Sequence, residues 1–396
     1  MNIAVIGGGA SGIMAAITAA RCGAYVTIYE KHDRIGKKIL ATGNGRCNLS
    51  NINSDINKYH GMDTDIINTV SAQFWTDETV SFFSEIGLLL KTEDEGKIYP
   101  YSDRATSVLD VLRNELNSLG VATECNFDVS DIKKRNSVFE IISYDNKHVF
   151  ADKIIFAAGG KASPGLCGGN GYDILKKLGH SCTRLEPSIV QLKTDNKNLK
   201  GLKGIKCQAS LTLNSITVCG ELLFTDTGLS GPPAFYLSSY YRRTDSEVAY
   251  IDFFKDYNEN ELFRIINRNA SLFENTENLF TGIVHKRLGA SILNQSGIQN
   301  INVPCNSLSK KDISSIVETA KNFPVHITGT ESWNNAQITS GGIPVSEIEH
   351  TSMLSTKCNN LYITGEILDI DGNCGGYNLQ WAWSTGYIAG CHAACN

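Results

Sequence analysis

Several features that mark particular classes of protein are scarce or missing in this chain. Proline contributes only 8 of 396 residues, and no repeat or low-complexity tract is visible. No apolar run approaches the ~20 residues that a membrane-spanning helix needs. The 36 Lys and Arg residues are outnumbered by 41 Asp and Glu residues and are scattered along the chain. We therefore expect a globular protein without a membrane partner and without a basic surface for nucleic acid.

The cysteines also lack the spacings that indicate a known site. None of the 12 cysteines forms a C-x-x-C pair, and the eight histidines lie apart from them, so no metal site is expected. Met1 is followed directly by an apolar strand pattern at 3–6, without a basic leader segment or a cleavage pattern. We therefore predict a cytoplasmic protein whose thiols are reduced and mostly buried.

Glycine, in contrast, is abundant, with 36 residues, and its clearest cluster is Gly7–Gly12. This G-x-G-x-x-G pattern follows the strand pattern at 3–6 and opens an Ala-rich helix at 13–22. A second strand is predicted at 25–29, and Glu30 follows it. The order strand, glycine turn, helix, strand and acid is typical of a Rossmann-type dinucleotide site.

Each glycine of that pattern has a physical task. Gly7 permits the tight turn, Gly9 lets the backbone approach a pyrophosphate, and Gly12 lets the helix pack closely on the strand. The helix N-terminus stabilises the phosphate charge. Glu30 accepts hydrogen bonds from ribose hydroxyls. The pattern fits FAD and NAD equally.

A second glycine-rich segment, Gly36–Asn51, favours FAD. Gly43 and Gly45 allow close backbone contact with a flat ligand. Lys38 and Arg46 are expected to offset phosphate charge or the charge of a reduced flavin. The amides of Asn44 and Asn48, in the same segment, are expected to reach ring carbonyls and nitrogens.

The C-terminal part suggests further contacts with a flavin. A strand at 361–364 leads to Gly365 and Glu366, and this acid is expected to meet a ribityl chain. Gly375 and Gly376 open a helix whose N–H groups would face the flavin pyrimidine and stabilise negative charge there.

The motif GKKILATGNGRCNLSN at Gly36–Asn51 closely resembles that of the BaiN/YhiN-like flavoprotein family, which includes aminoacetone oxidase-type proteins. The resemblance continues through Gly96–Pro100, Pro187–Leu192 and Gly220–Pro232, where Asp226 replaces an expected His. It ends with two further matching segments, Thr339–Ile343 and Thr364–Gly372. It implies an α/β fold: a two-dinucleotide-binding-type, Rossmann-like FAD domain with an inserted β-barrel and helical domain.

The resemblance also supplies site residues, and the change in strand and helix patterns along the chain supplies domain limits. The resemblance implies that the backbone of Val129 meets adenine and that Ala158 and Gly159 lie near the cofactor. The FAD domain is expected at 1–189 and 331–396, and the insertion at 190–330, with a β-rich part to 255 and a helical part after it. The cofactor-binding residues predicted from motifs and resemblance together are Gly7, Gly9, Ala10, Ser11, Gly12, Glu30, Lys31, Lys38, Thr42, Gly43, Asn44, Gly45, Arg46, Cys47, Asn48, Val129, Ala158, Gly159, Gly365, Glu366, Asp371, Gly376, Tyr377, Asn378 and Leu379.

The predicted function is that of a flavin-dependent oxidoreductase acting on a small molecule. The family resemblance implies two chemistries: NAD(P)H-linked reduction of a conjugated enone or dienone, as in a 3-dehydro-bile-acid reductase, or oxidation of an amine or aminoketone with O2. We favour the reductase. Only one intact nucleotide fingerprint is present, so NAD(P)H would bind transiently. A non-catalytic flavin-binding sensor is the third reading, and the catalytic residues are left unassigned.

Overall fold

The computed structural model describes residues 1–53, 55–167, 169–195, 197–241, 247–298 and 300–395. The chain divides into two compact units. The first comprises Met1–Pro187 and Gln337–Asn396, and the second comprises Ser188–Ala336. The domain limits predicted from sequence, after 189 and after 330, lie two and six residues from these boundaries. As functional domains they stay a prediction.

Both units contain helices and strands. The helices are α1 (Ala10–Arg21), α2 (Lys37–Ala41), α3 (Ile66–Ser71), α4 (Thr76–Glu85), α5 (Ala105–Ser118), α6 (Gly171–Lys177), α7 (Pro232–Tyr241), α8 (Glu259–Leu272), α9 (Lys286–Gln295), α10 (Lys310–Lys321) and α11 (Tyr377–Cys395). The strands are β1 (Asn2–Ile6), β2 (Tyr25–Glu30), β3 (Ser50–Asn51), β4 (Tyr59–His60), β5 (Leu90–Thr92), β6 (Lys97–Pro100), β7 (Ala122–Cys125), β8 (Val129–Arg135), β9 (Val138–Ser143), β10 (His148–Ala151), β11 (Lys153–Phe156), β12 (Glu186–Ser188), β13 (Leu192–Thr194), β14 (Lys206–Leu213), β15 (Ile216–Phe224), β16 (Gly228–Ser230), β17 (Val248–Asp252), β18 (Phe323–Thr330), β19 (Ile338–Ser340), β20 (Leu361–Ile363) and β21 (Asp371–Gly372). In the second unit, α7 separates β16 from β17, and α8, α9 and α10 lie between β17 and β18. None of the helices among the described residues is long and apolar enough to cross a membrane.

A five-stranded parallel sheet forms the centre of the first unit, with strand order β20-β11-β1-β2-β7. β11 is a continuous buried run, as expected for a parallel strand that is covered on both faces. β7 forms the edge of this sheet, whereas β8, β9 and β10 form a separate antiparallel layer of three strands.

Two helices of the first unit touch at backbone distance, because α11 carries glycines where it meets α1. A Cβ atom on Gly386 would lie 2.4 Å from the carbonyl oxygen of Ser11. A Cβ atom on Gly390 would lie 2.5 Å from that of Ala15. The glycines therefore let the C-terminal helix pack directly on the helix that follows the first glycine turn, as close helix packing requires.

The second unit contains a closed six-stranded barrel, in the order β13-β16-β15-β14-β17-β18. Its strands bury side chains such as Leu211, Leu222, Phe224, Ile251 and Phe323 in one hydrophobic cluster. Helices α8, α9 and α10 bury apolar residues in the same cluster. The expectation of a β-barrel and a helical part is therefore confirmed.

The second glycine-rich segment, Gly36–Asn51, contains a short helix that the sequence does not predict. Residues 37–41 form α2, a 3-10 turn covers Thr42–Gly45, and β3 ends the segment. Gly36, at the start of α2, has a φ of 78°, a conformation that favours glycine. The short helix was missed because five residues are too few to show helical periodicity.

Candidate functional site

A large cleft lies entirely within the first unit, at the carboxyl ends of its central strands. Its free space, including the part that is open to solvent, is about 1250 Å³, and it is lined by Ile6, Glu30 and Phe156, which end β1, β2 and β11. Ligands of open parallel sheets bind at this edge. The cleft is therefore the candidate cofactor site.

The first glycine turn forms one wall of this cleft, and its glycines serve different purposes. Gly7 has a φ of 102°, and a Cβ atom on Gly12 would lie 1.9 Å from the Gly7 carbonyl oxygen. No atom of the described residues lies within 4 Å of a Cβ built on Gly9. Gly12 therefore shapes the turn itself, whereas Gly9 borders open space in the cleft.

Helix α1 begins directly after this turn and points its N-terminus at the cleft. Ala10 and Ser11 line the cleft, and no side chain in the described part of the chain caps the helix at Gly9. The first N–H groups of a helix have no partner within the helix. The arrangement thus presents N–H donors and the positive end of a helix dipole to an anion.

Glu30 lies beside the turn and is held by backbone groups. Its Oε2 atom accepts a hydrogen bond from the N–H of Gly8 at 2.7 Å, and its Oε1 atom accepts one from the N–H of His32 at 2.9 Å. The side chain is buried, yet it lines the cleft. A carboxylate fixed in this way keeps further acceptor capacity for hydroxyl groups of a ligand.

An ion pair at another part of the cleft joins α2 to the segment after β20. The Lys38 ammonium lies 2.5 Å from Oε2 of Glu366, whose Oε1 accepts a hydrogen bond from the N–H of Thr339 at 2.9 Å. Burial opposes the charged form of Lys38, but Glu366 and Cys167 outweigh it and raise the pKa of the lysine. Lys38 is therefore a cation in this cleft.

The second glycine-rich loop behaves differently from the first. Gly43 and Asn44 both have a φ of 55°, and neither lines the cleft. The Arg46 guanidinium donates to Glu93 at 2.5 Å and to Asp103 through Nε at 2.9 Å, and lies 4.1 Å from the centre of the Tyr99 ring. We expected Arg46 to lie at a phosphate group or at the flavin. In the structure it bonds to these carboxylates and packs on this ring instead.

Asn48 also bonds to protein groups. With its amide oriented to satisfy its hydrogen bonds, the nitrogen donates to the carbonyls of Ile98 and Ser50 at 3.1 and 3.0 Å. The amide oxygen then accepts from the N–H of Gly376 at 3.1 Å. Asn51 supports the same turn by donating to the Gly375 carbonyl at 3.0 Å. The loop thus fixes the turn that precedes α11.

Cys47, between these two residues, is fully buried. Burial raises the pKa of its thiol to about 12, although the Thr42 hydroxyl acts in the opposite direction. It is a neutral core residue in this structure.

The predicted cofactor residues fall into two groups, and their binding role stays a prediction in both. Those that line the cleft are Gly7, Gly9, Ala10, Ser11, Glu30, Lys31, Lys38, Thr42, Val129, Ala158, Gly159, Glu366, Asn378 and Leu379. Those that do not line it are Gly12, Gly43, Asn44, Gly45, Arg46, Cys47, Asn48, Gly365, Asp371, Gly376 and Tyr377.

Sequence reasoning missed several residues that line the cleft. They include Phe127, Leu166, Cys167, Asn170, Ile338 and Trp381. Most of these lie outside glycine motifs, in segments brought to the sheet edge by tertiary structure. The Gly169–Gly171 turn was a signal for Asn170, whose side-chain nitrogen donates to the Val129 carbonyl at 2.9 Å.

Comparison with known proteins shows the family to which this chain belongs. The sequence profile of the HI0933-like protein Rossmann domain matches residues 1–392. The chain belongs to the HI0933-like family. It is 37% identical to the 3-dehydro-bile acid delta(4,6)-reductase of Clostridium scindens, over 99% of both chains.

Other relatives of this HI0933-like protein carry a different name. It is 27% identical to a ribosomal RNA dihydrouridine synthase of Haemophilus influenzae, over 97% of this chain and 96% of the relative. It is 28% identical to the Escherichia coli protein of the same name, over 97% and 95% of the two chains.

A solved structure agrees on the fold. The 3-ketosteroid-delta4-(5alpha)-dehydrogenase of Rhodococcus jostii, solved with 4-androstene-3,17-dione, matches all of this chain and 96% of its own with a TM-score of 0.55 and 15% identity. The expected membership of the BaiN/YhiN-like flavoproteins is confirmed. The protein is an FAD-dependent oxidoreductase with a Rossmann-type cofactor domain.

Proposed function

We propose that this protein reduces a carbon–carbon double bond conjugated to a carbonyl group in a small molecule, and that NAD(P)H supplies the electrons transiently. The similarity over 99% of the chain to a 3-dehydro-bile acid delta(4,6)-reductase carries this proposal. The cleft of the first unit supports it, because its donors and acceptors fit the parts of FAD. We assign substrate selection to the inserted domain, predicted at 190–330.

The fit to FAD can be followed along the cleft. The N-terminus of α1 and the open space at Gly9 suit a pyrophosphate, and the fixed carboxylate of Glu30 suits ribose hydroxyls. Val129 lines the part of the cleft that also contains Phe127, which suits adenine. Glu366 lines the cleft as well and suits the ribityl chain.

FAD bound here supplies the hydride chemistry, and the chain supplies binding and electrostatics. Lys38 places a positive charge in the cleft, which stabilises negative charge on a reduced cofactor. The N-terminus of α11, where Asn378 and Leu379 line the cleft, acts in the same direction through its N–H groups.

The other relatives favour a second candidate substrate for the same reaction type. Dihydrouridine differs from uridine by reduction of a ring double bond that is conjugated to a carbonyl. The names of the Haemophilus influenzae and Escherichia coli relatives therefore describe the same class of bond in ribosomal RNA. Both sets of relatives favour a reductase over an amine oxidase. The net charge of -5 supports the small molecule.

Anaerobic mixing of the purified protein with NADH or NADPH tests the reaction class. Loss of the visible flavin band on mixing, followed by its return when a steroid 4,6-dien-3-one is added, is the expected result. Bleaching by an amine or aminoketone alone would indicate the oxidase, and no bleaching by any donor would indicate a sensor. Return of the band with unmodified ribosomal RNA, but not with the dienone, would favour the second substrate.

A further inference from the structure

Three cysteines of the first unit gather where α1 and α11 end. Cys22 directly follows α1, and Cys391 and Cys395 lie one helical turn apart at the carboxyl end of α11. Cys22 and Cys395 are exposed, and Cys391 is half-buried. Both helices begin at the cofactor cleft, so these thiols lie at the opposite end, and the proposed reaction gives them no task.

The two helices run in the same direction and touch at backbone distance. Gly386 packs on the backbone of Ser11, and four residues later Gly390 packs on that of Ala15. A Cβ atom on Gly390 would also lie 2.8 Å from the Cβ atom of Thr18, so this contact continues toward the carboxyl end of α1. The ends of the two helices therefore lie side by side.

This register places the three thiols against one another. Cys22 stands one turn after Thr18 on the same face of α1, and Cys391 comes directly after Gly390. The Cys22 thiol hydrogen-bonds with the thiols of Cys391 and Cys395. Burial, and then the charges of the two thiols on α11, raise the pKa of Cys22 to about 11. The three side chains thus form one cluster that is contributed by two helices.

The carboxyl end of α11 is fixed by the central sheet. Lys153 of β11 is buried, and its ammonium donates to the Ala393 carbonyl oxygen at 2.9 Å. The hydroxyl of Tyr362 in β20 donates to the His392 carbonyl oxygen at 3.3 Å. Side chains that bond to the last carbonyls of a helix hold its final turn. The two thiols of α11 are therefore presented to Cys22 from a fixed position.

Helix geometry decides which disulfide can form in this cluster. Residues four apart on a helix have Cβ atoms about 5–6 Å apart. A disulfide needs Cβ atoms about 3.5–4.5 Å apart, so Cys391 and Cys395 cannot be joined without distortion of α11. Cys22 belongs to a different helix end and is therefore the partner that either thiol requires.

We propose that Cys22 is the common member of a redox site, in which oxidation joins α1 to α11 through a disulfide between Cys22 and either Cys391 or Cys395. Reduction opens the bond again, so the bond is absent while the surroundings are reducing. When it forms, it holds together the two helices whose first turns border the cleft. The proposal does not depend on which ligand or substrate the cleft binds.

Glutathione disulfide is a sufficient oxidant, and the reaction with it is balanced. The Cys22 thiol loses its proton to solvent, its thiolate attacks one sulfur of glutathione disulfide, and glutathione thiolate leaves. A thiolate of α11 then attacks the Cys22 sulfur in the mixed disulfide and releases the second glutathione. The two leaving thiolates take up the two protons that the cysteines lost. Two protein thiols are oxidised, and one glutathione disulfide is reduced to two glutathione molecules.

The test equilibrates dilute purified protein in oxidised or in reduced glutathione buffer, and blocks free thiols before mass spectrometry. Trypsin cleaves after Arg21, and chymotrypsin cleaves after Tyr25 and Tyr387. One product, Cys22–Tyr25, contains only Cys22, and another, 388–396, contains only the two thiols of α11. We expect these two peptides to be linked in most chains from the oxidised buffer and in none from the reduced buffer.

Thermal unfolding measures what the bond does to the fold. The oxidised parent protein should melt at least about 3 °C above the reduced protein, because a disulfide restricts the unfolded chain. Cys22→Ser should remove both the link and this rise, and so should the double variant Cys391→Ser/Cys395→Ser. Cys219→Ser, which replaces an exposed cysteine of the second unit, is the matched control and should keep both.

Three results would overturn the proposal. The first is a Cys22 that carries only glutathione in the oxidised buffer. The second is a bond from Cys22 to another copy of the chain, seen as a covalent dimer in place of the internal link. The third is a rise in melting temperature on oxidation that persists in Cys22→Ser.

Discussion

Two glycine-rich loops of the first unit differ in what they touch. Residues 7–11 of the first loop line the cleft, and the neighbouring acid, Glu30, is held by backbone N–H groups. The loop that contains Arg46 and Asn48 bonds to carboxylates, to an aromatic ring and to the turn before α11.

The difference shows that glycine content alone does not locate a ligand. In the first turn, an uncapped helix N-terminus and open space accompany the glycines. In the second loop, Gly43 and Gly45 serve left-handed backbone conformations that bring Arg46 to Glu93. The first loop is therefore the predicted binding surface, whereas the second bonds to protein groups, including the turn before α11.

The largest effect is expected from Gly12→Ala. The new Cβ atom would lie 1.9 Å from the Gly7 carbonyl oxygen, and this atom belongs to the backbone and cannot rotate away. We expect a loss of at least about 3 kcal/mol in the free energy of unfolding, together with loss of cofactor. Urea unfolding measures the first, and the absorbance of the purified protein measures the second. A stable, yellow variant would contradict the account of this turn.

Gly9→Val should abolish cofactor binding while it spares the fold. The valine side chain would enter the open space of the cleft, where we place the pyrophosphate. We expect FAD affinity to fall at least about 100-fold, which corresponds to roughly 2.8 kcal/mol. The melting temperature of the apoprotein should change little. Gly23→Val, at another glycine that faces open space, is the matched control. It has a φ of 89° and should cost stability while FAD affinity is kept.

Glu30→Ala should weaken FAD binding by about one to three orders of magnitude, because two charge-assisted hydrogen bonds are each worth roughly 1.5–3 kcal/mol. Titration of FAD into the apo variant, followed by flavin fluorescence, gives the affinity. Excess FAD should restore most of the turnover, since we place Glu30 at the ADP part of the cofactor and not at the flavin ring. Normal affinity with lost turnover would place the acid elsewhere in the site.

Arg46→Met, in the second loop, should have a small effect. Its partners are partly exposed, so we expect a loss of at most about 1 kcal/mol of stability and less than a threefold change in FAD affinity. Thermal unfolding and FAD titration measure the two quantities. A loss of FAD affinity as large as that of Glu30→Ala would remove the distinction between the two loops.

The smallest expected effect is a pH dependence of the difference in thermal stability between the parent protein and Arg46→Met. Hydrogen bonds from Arg46 and Lys91 lower the pKa values of Glu93 and Asp103 below their ordinary 4.5 and 3.8. The two carboxylates therefore contribute their stability fully at pH values above their ordinary pKa values. This contribution is lost as the pH falls through their lowered pKa values in the folded protein. The difference in melting temperature between parent and Arg46→Met should narrow in acid. A difference that stays constant with pH would point to packing on Tyr99.

The sequence predicted the parts of the fold that depend on local pattern. The strand, glycine turn and helix around Gly7–Gly12 are visible because each uses neighbouring residues. The destinations of Arg46 and Asn48 were not predictable, because their partners Asp103, Ile98 and Gly376 lie 50 to 330 residues further along the chain. The same holds for Cys167, which tertiary structure brings beside Lys38.

Substrate identity depends least on local pattern. The described residues of the second unit bury a hydrophobic cluster, and we find no motif among them that names a ligand. Conjugated double bonds in a steroid and in uracil present similar groups for reduction. For this reason, the proposal about substrate relies on relatives rather than on residues.

Release of the cofactor from the purified protein tests the central claim most directly. The protein should be yellow, and denaturation should release FAD in about one copy per chain, as judged by chromatography against FAD, FMN and NAD standards. The Gly9→Val variant prepared in the same way should release none. Recovery of FMN alone or NAD alone, or an equal yield of FAD from Gly9→Val, would contradict the assignment of the cleft at Gly7–Gly12 to FAD.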